Sequence, residues 1–419
     1  MSRTFPPAPL WAAAQLGCCI RSNFPYGASV SRGNRMKVLL AGPLETKALG
    51  QSTGIDLSDL PSATTQTPLG PLAGGLLAAG HQVHVLTMDP RIEEPEEHVR
   101  GPLTLSFVPI RGAPRYRARV RSRDLFAVEI AHLEAVMRGS DSDIIHANWT
   151  YEYAEAAIRS RRPMVATMHD LGWDILFNFR DMYRTLRLLM KYRAMLRVKA
   201  LTAVAPFMAR KAWNYGYFGQ VDVIPNPIEP VPPRPKALDR PIIATIGNAG
   251  RLKNVVASVA AFARIRAALP SAELHLFGPG LDPEGQFRDA GPGVVCHGNV
   301  PHGTLMAFLE EEARLIVHPS RIEGCPVILG EAKMRGVPVV AGARSGGVEY
   351  VVGNCGGVLV DIEKPDEIAD AALRILSNPA AYPALQQVAH EDVMARFATA
   401  QVTSRYVKVY ERVLRATPR

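Results

Sequence analysis

Between Arg321 and Glu349 the chain sets Glu323 and Glu331 eight positions apart around Pro326, then an apolar run from Val337 to Ala341, then Gly346-Gly347. Proline suits a helix's first turn, where its missing N–H costs nothing and its φ is already helical. A segment so punctuated reads as a helix start, a buried strand and a glycine turn opening a second helix, the repeating unit of an α/β sheet. The first-turn N–H groups around Gly324, Cys325, Pro326 and Ile328 then point out of the helix start and, with the helix dipole, favour a phosphate or diphosphate. Glu323 precedes that turn and can accept hydrogen bonds from neutral hydroxyls. Glu331 lies further along the same helix, within reach of the other end of an extended ligand such as a ribose diol.

The 419 residues allow two domains, and 47% hydrophobic with 21% charged residues is ordinary for a folded, soluble enzyme. No apolar run approaches the roughly 20 residues needed to span a bilayer. Five cysteines, at 18, 19, 296, 325 and 355, show no disulfide or zinc spacing, so a cytoplasmic protein is expected. Residues 1–35 carry four arginines and no acidic residue, and are expected to form a disordered extension. Without them the formal charge falls from +9 to +5, a basicity compatible with anionic donors or membranes; a nucleic-acid partner is not expected.

Short apolar runs alternate with amphipathic stretches, as in a doubly wound parallel sheet. Strands are expected at 38–41, 83–87, 103–109, 143–146, 165–169, 201–204 and 221–224. A second set is expected at 242–246, 274–277, 294–297, 315–318, 339–341 and 357–360. Between the sets, Val223 to Pro235 is dense in proline and reads as a stiff connection. The expected division is therefore an N-terminal domain over 36–225, a hinge over 226–240, a C-terminal domain over 241–390 and a terminal helical segment over 391–419.

Other positions carry chemistry. Gly247-Asn-Ala-Gly-Arg-Leu-Lys-Asn254 is a glycine turn with two cations opening a helix, suited to wrapping a diphosphate. His169 ends a strand, where parallel sheets form their ligand crevice. Asp141-Ser-Asp143 lies at the entering edge of its strand and reads as a polar turn, not a Mg²⁺ or Mn²⁺ site. Residues 182–199 hold six basic and no acidic side chains. They read either as a membrane-facing amphipathic helix or as one whose Leu186, Leu189, Met190 and Leu196 form a core stripe.

Pro319-Ser320, Glu323-Gly324, Pro326, Glu331-Ala332, Gly336 to Ala341 and Gly346-Gly347 resemble the glycosyltransferases of family 4, also called group 1. Ile224-Pro-Asn-Pro227 is similar to that family's entry into its interdomain crossing, and Tyr406 to Leu414 to its returning C-terminal helix. The resemblance implies a GT-B fold: two Rossmann-like doubly wound α/β domains facing each other across a cleft. It implies transfer of a sugar from a nucleotide-diphosphate donor to a hydroxyl with retained anomeric configuration, without a metal or other cofactor. The acceptor would be a glycan or a lipid-linked molecule, with peripheral contact to an anionic membrane possible.

Under this resemblance Glu323 and His169 contact the transferred sugar, Glu331 the ribose, and Lys253 the diphosphate. The family's arginine position falls on Asn248, so Arg251 is expected to substitute. Gly298, Asn299 and Val300 match where the family holds the nucleobase, and Cys325 stands where an aromatic residue is usual. A nucleotide-sugar 2-epimerase and a catalytically silent glycan- or partner-binding module on the same fold are the alternatives.

Overall fold

A computed structural model describes residues 35–61, 68–111, 121–353 and 355–417. The chain divides into two compact units, one running to Glu229 and resuming at Thr399, the other spanning Pro230–Ala398. The expected N-terminal extension lies, except for Arg35, outside the described residues.

The first unit is built on strands β1 (Lys37–Ala41), β2 (Gln82–Asp89), β3 (Glu96–Arg100), β4 (Leu103–Pro109), β5 (Ile144–Asn148), β6 (Met164–Met168), β7 (Leu201–Ala203) and β8 (Val221–Val223). Their order is β3-β4-β2-β1-β5-β6-β7-β8, and every pairing is parallel except β3 with β4. The apolar runs mark all of these strands except β3. Its Glu-Glu-His-Val-Arg sequence lacks the apolar signature of a buried strand because it forms the sheet edge, where charge discourages further pairing.

Gly50 lies inside the helix Thr46–Thr53, and Gly54 ends it in the left-handed conformation at φ 70°. Gly42, just past β1, does need its small size. A Cβ there would sit 3.0 Å from the Asn148 Cβ and 3.1 Å from a Leu69 methyl.

The final helix, Thr399–Ala416, buries Val402, Thr403, Tyr406, Val409 and Tyr410, and its apolar face joins the core of the first unit. His146, fully buried on β5, is fixed by it: Nδ1 lies 2.7 Å from the Tyr410 hydroxyl and Nε2 2.6 Å from Thr167 Oγ1. That makes His146 a packing residue. Burial pushes its imidazole down to about 3. Asp141 pairs with the Lys37 ammonium, and Asp143 Oδ2 accepts the Lys37 N–H at 2.7 Å, so both carboxylates serve the edge where β1 and β5 begin.

The second unit holds β9 (Ile242–Ile246), β10 (Glu273–Phe277), β11 (Val294–Gly298), β12 (Leu315–His318), β13 (Val339–Gly342) and β14 (Gly357–Val360). Their order is β11-β10-β9-β12-β13-β14, all parallel. Chain direction across the sheet reverses between β9 and β12, and a doubly wound sheet opens its ligand crevice at such a switch point. Cys296 and Cys325 are free thiols.

Candidate functional site

The loops leaving β9, β10 and β11 are stitched to one another by main-chain bonds. Gly247 N–H donates to Phe277 O at 2.9 Å, Gly278 N–H to Gly298 O at 2.7 Å, and Ala249 N–H to Pro279 O at 3.1 Å. The approach is so close that a Cβ on Gly278 would lie 1.7 Å from Gly247 O. On the other side of the switch point, the stretch after β12 bonds to the Gly346 turn: Glu323 N–H donates to Ser345 O at 3.1 Å and Gly347 N–H to Glu323 O at 2.8 Å. Main-chain pairing thus fixes Glu323 before any side chain acts.

Lys253, after β9, reaches across the switch point, with Nζ 2.5 Å from Glu323 Oε1. His318, the last residue of β12, brings Nε2 to 3.3 Å from the same oxygen. Burial alone would raise the Glu323 carboxyl, but His318 and Lys253 outweigh it and hold it down at about 2. Glu323 is therefore ionised across the physiological range and sits in a cationic setting. Arg321 braces both loops: its N–H donates to Leu252 O at 2.8 Å, its guanidinium reaches the Arg251 carbonyl, and it grips Glu363 through two bonds of 2.6 and 2.9 Å.

The helix expected to start at Pro326 spans Val327–Met334, with Pro326 as its extended N-cap (ψ 106°) rather than in its first turn. The reason is local: the chain must still turn from the Glu323–Gly346 bridge into the helix. Its first-turn N–H groups, preceded by Gly324 and Cys325 and including that of Ile328, lack intrahelical acceptors as at any helix start. Glu331 lies in the second turn and Oε1 is 2.8 Å from His302 Nε2. Glu323 and Glu331 thus stand at opposite ends of the helix start, each held by a histidine.

The remaining expected residues serve the scaffold as well. Arg251 and Asn248 are exposed; the Asn248 side chain accepts the Gly250 N–H at 2.9 Å, shaping the glycine turn. Gly298 ends β11, with Asn299 and Val300 following it, and has φ 66° with Asp282 Oδ1 so near that a Cβ would lie 2.3 Å away. His318, Arg321 and His302 escaped the sequence reading. His318 had a usable signal, since it ends an apolar strand, the place expected of His169.

In the first unit His169 follows β6. Its Nε2 lies 2.9 Å from Asn148 Oδ1, and its ring stacks on Trp149 with centroids 4.4 Å apart. Burial drives the imidazole down to about 4 against the opposing pull of Asp170, so it is neutral at pH 7.

The basic helix spans Met182–Met195, and Asp181 caps it by accepting the Arg184 N–H at 2.8 Å. Its buried stripe is Leu188, Met190, Lys191, Ala194 and Met195, whereas Leu189 and Leu196 are exposed. The expected stripe of Leu186, Leu189, Met190 and Leu196 is corrected accordingly: ionic partners turn Lys191 inward. Arg184, Arg187, Lys191 and Arg197 pair with Asp181, Glu152, Asp170 and Glu155. Among the described residues no helix is long and apolar enough to cross a membrane.

Residues 231–392 match the family model for glycosyl transferases group 1, and residues 71–231 that for glycosyltransferase family 4. Sucrose-phosphate synthase from Thermosynechococcus elongatus is similar in structure, with TM-score 0.71, 21% identity and coverage of 91% of this chain and 100% of that one. The Anabaena protein Alr3699/HepE, solved with UDP and glucose, gives TM-score 0.63, 15% identity and coverage of 90% and 100%. The trehalose 6-phosphate synthase of Burkholderia multivorans gives 0.64, 14%, 91% and 97%. No curated protein matches the chain.

Proposed function

We propose a specific reaction for this chain, which belongs to the group 1 and family 4 glycosyltransferases and has their GT-B fold: it moves a hexose from a nucleotide-diphosphate-sugar to an acceptor hydroxyl with retention of anomeric configuration. The observation that carries the reading is the Lys253–Glu323 pair at the switch point, facing the start of the helix that bears Glu331.

In this reading the diphosphate lies against the helix start, where N–H groups and the dipole favour negative charge, and Lys253 adds a mobile cation. Glu331 takes the ribose hydroxyls and the segment from Gly298 to Val300 the nucleobase. Glu323, ionised and braced, accepts hydrogen bonds from the sugar, and the family resemblance gives His169, neutral at pH 7, a contact with the sugar as well. As the anomeric carbon–diphosphate bond breaks, charge grows on the departing phosphate. Preorganised donors aimed at such charge are each worth on the order of 3 kcal/mol, so Lys253 and the helix amides serve without a metal. The acceptor oxygen bonds to the anomeric carbon from the face the diphosphate leaves, and its proton passes to the departing phosphate oxygen. Sugar charge is oxocarbenium-like at the top of the barrier.

The acceptor is a glycan or a lipid-linked molecule of surface glycan or glycolipid biosynthesis, acted on in the cytoplasm. Peripheral contact with an anionic membrane is supported by Phe177, Phe179 and Met182, which are 64%, 54% and 70% exposed, beside Arg184, whose guanidinium lies 4.4 Å from the Phe179 ring centre.

The test is incubation of the full chain with UDP-, GDP- and ADP-hexoses in the presence of a chelator. One donor should release its nucleoside diphosphate, and Lys253→Ala should slow that release roughly 100- to 1,000-fold. Release from no donor, or an unaffected Lys253→Ala variant, contradicts the reading.

A further inference from the structure

The helix Met182–Met195 carries a charged residue in the middle of its buried stripe. Lys191 is fully buried, and its Nζ donates to both the backbone O and the Oδ1 of Asp170, each at 2.7 Å. Tyr151 adds a third bond, its hydroxyl donating to Asp170 Oδ1 at 2.8 Å. The rings of Tyr151 and Tyr215 lie 5.2 and 4.9 Å from the ammonium, supplying part of the cation's lost hydration. Asp170 immediately follows His169, beyond the end of β6 and therefore outside the sheet's own hydrogen bonding.

A buried ion pair is a poor device for stability, since well-packed apolar side chains of similar size often do as well or better. It does fix direction. Here the cation clamps both the carbonyl and the carboxylate of Asp170, the residue after His169, while Asn148 at the end of β5 and Trp149 just past it hold the ring. Trp149 itself adopts φ 67°, a left-handed conformation costly for a bulky residue and sustained only where surrounding contacts over-determine it. Gly172 lets the helix pack this closely: a Cβ there would lie 3.0 Å from a Leu188 methyl and 3.3 Å from Lys191 Cδ.

We propose that Lys191 and Asp170 are a positioning pair that holds His169 in the orientation the sugar transfer requires. This rests on the role given to His169 above. Neither residue contacts substrate; both act through the backbone and ring of their neighbour.

The test uses the full chain and four proteins: wild type, Asp170→Asn/Lys191→Met, His169→Ala, and all three substitutions together. Removing both charges at once avoids leaving one of them buried and unpaired. The double variant should keep its donor KM within about twofold, because the nucleotide-binding groups belong to the other unit, while kcat falls about 10- to 100-fold, the scale of a small misplacement of a reacting geometry. In the His169→Ala background the same two substitutions should change kcat by less than about twofold, because there is no ring left to position. A merely structural pair would cost the same factor in both backgrounds, and that result overturns the proposal. His169→Ala with unchanged kcat would overturn the role of His169 and the pair with it; a reduced kcat for His169→Ala beside an unimpaired double variant overturns the pair alone. Should the double variant not fold, Tyr151→Phe decides: a drop in kcat of about two- to fivefold that vanishes in the His169→Ala background supports the pair, and no drop overturns it.

Discussion

Each unit buries a lysine completely next to its candidate site, and the two are used differently. Lys333, two residues beyond Glu331, donates to Val351 O at 3.1 Å and Val352 O at 2.8 Å and pairs with Asp392. It ties the helix bearing Glu331 to the carbonyl end of the helix Val348–Val352, where the dipole welcomes a cation. Burial pushes it down to about 8 against the pull of Asp392. Lys191 is likewise lowered by burial and held up by Asp170, but its carboxylate belongs to the loop that carries His169. A helix already has its internal hydrogen bonds, so Lys333 adds stability to an element that keeps its shape; a loop has little else, so Lys191 supplies the shape itself.

The comparison breaks most visibly under Lys333→Met and Lys191→Met. Lys191→Met leaves the Asp170 carboxylate without its cation and should cost about 3–5 kcal/mol in chemical denaturation, whereas Lys333→Met leaves Asp392 its ion pair with Arg396 and should cost less. At saturating donor, however, only Lys191→Met should lower kcat; equal kcat losses would erase the distinction.

Acid sharpens the contrast next. His146 and His169 have folded-state values of about 3 and about 4, below the 6.5 of the unfolded chain. The unfolded state therefore binds their protons first, and the first unit loses stability as pH falls below 6.5, by at most about 1.4 kcal/mol per pH unit for each group. Glu323, lowered from 4.5 to about 2, contributes stability that is intact above 4.5 and lost only as pH falls toward 2. Differential hydrogen exchange between pH 7 and 4.5 should show protection falling in β5 and β6 before β12; simultaneous loss would contradict the assignment.

The smallest effect expected is that of Tyr410→Phe, which removes the partner of His146 Nδ1 and should destabilise by about 1 kcal/mol with kcat unchanged.

The two sites were unequally legible. In the second unit Glu323, Glu331 and Lys253 stand in a run of prolines and glycines at fixed offsets, and local chain geometry suffices to foresee a helix start and a turn. His302 comes from a distant segment and Arg321 bonds to distant ones, so only the assembled sheet shows which oxygen each one reaches, whereas His318 stands just before Glu323 at the end of β12. In the first unit His169 could be read from its place at a strand end, but not what holds it. Hydropathy put Leu189 inside and treated Lys191 as one of six surface cations; the partly buried carboxylate of Asp170, supplied by a different segment, reversed that choice. Strand β3 was hidden for a related reason, because an edge strand lacks the apolar run that betrays a central one.

The claim beneath all of this is that the helix start at Val327 and the pair Lys253–Glu323 form a seat for a nucleoside diphosphate bounded by Glu331. Calorimetric titration of UDP, GDP and ADP into the wild-type chain and into Glu331→Ala tests it most directly. One nucleotide should bind the wild type, and Glu331→Ala should weaken it by about 10-fold or more, the scale of losing a charge-assisted hydrogen bond to a ribose hydroxyl. Binding of none of the three, or equal affinity for both proteins, would contradict the account.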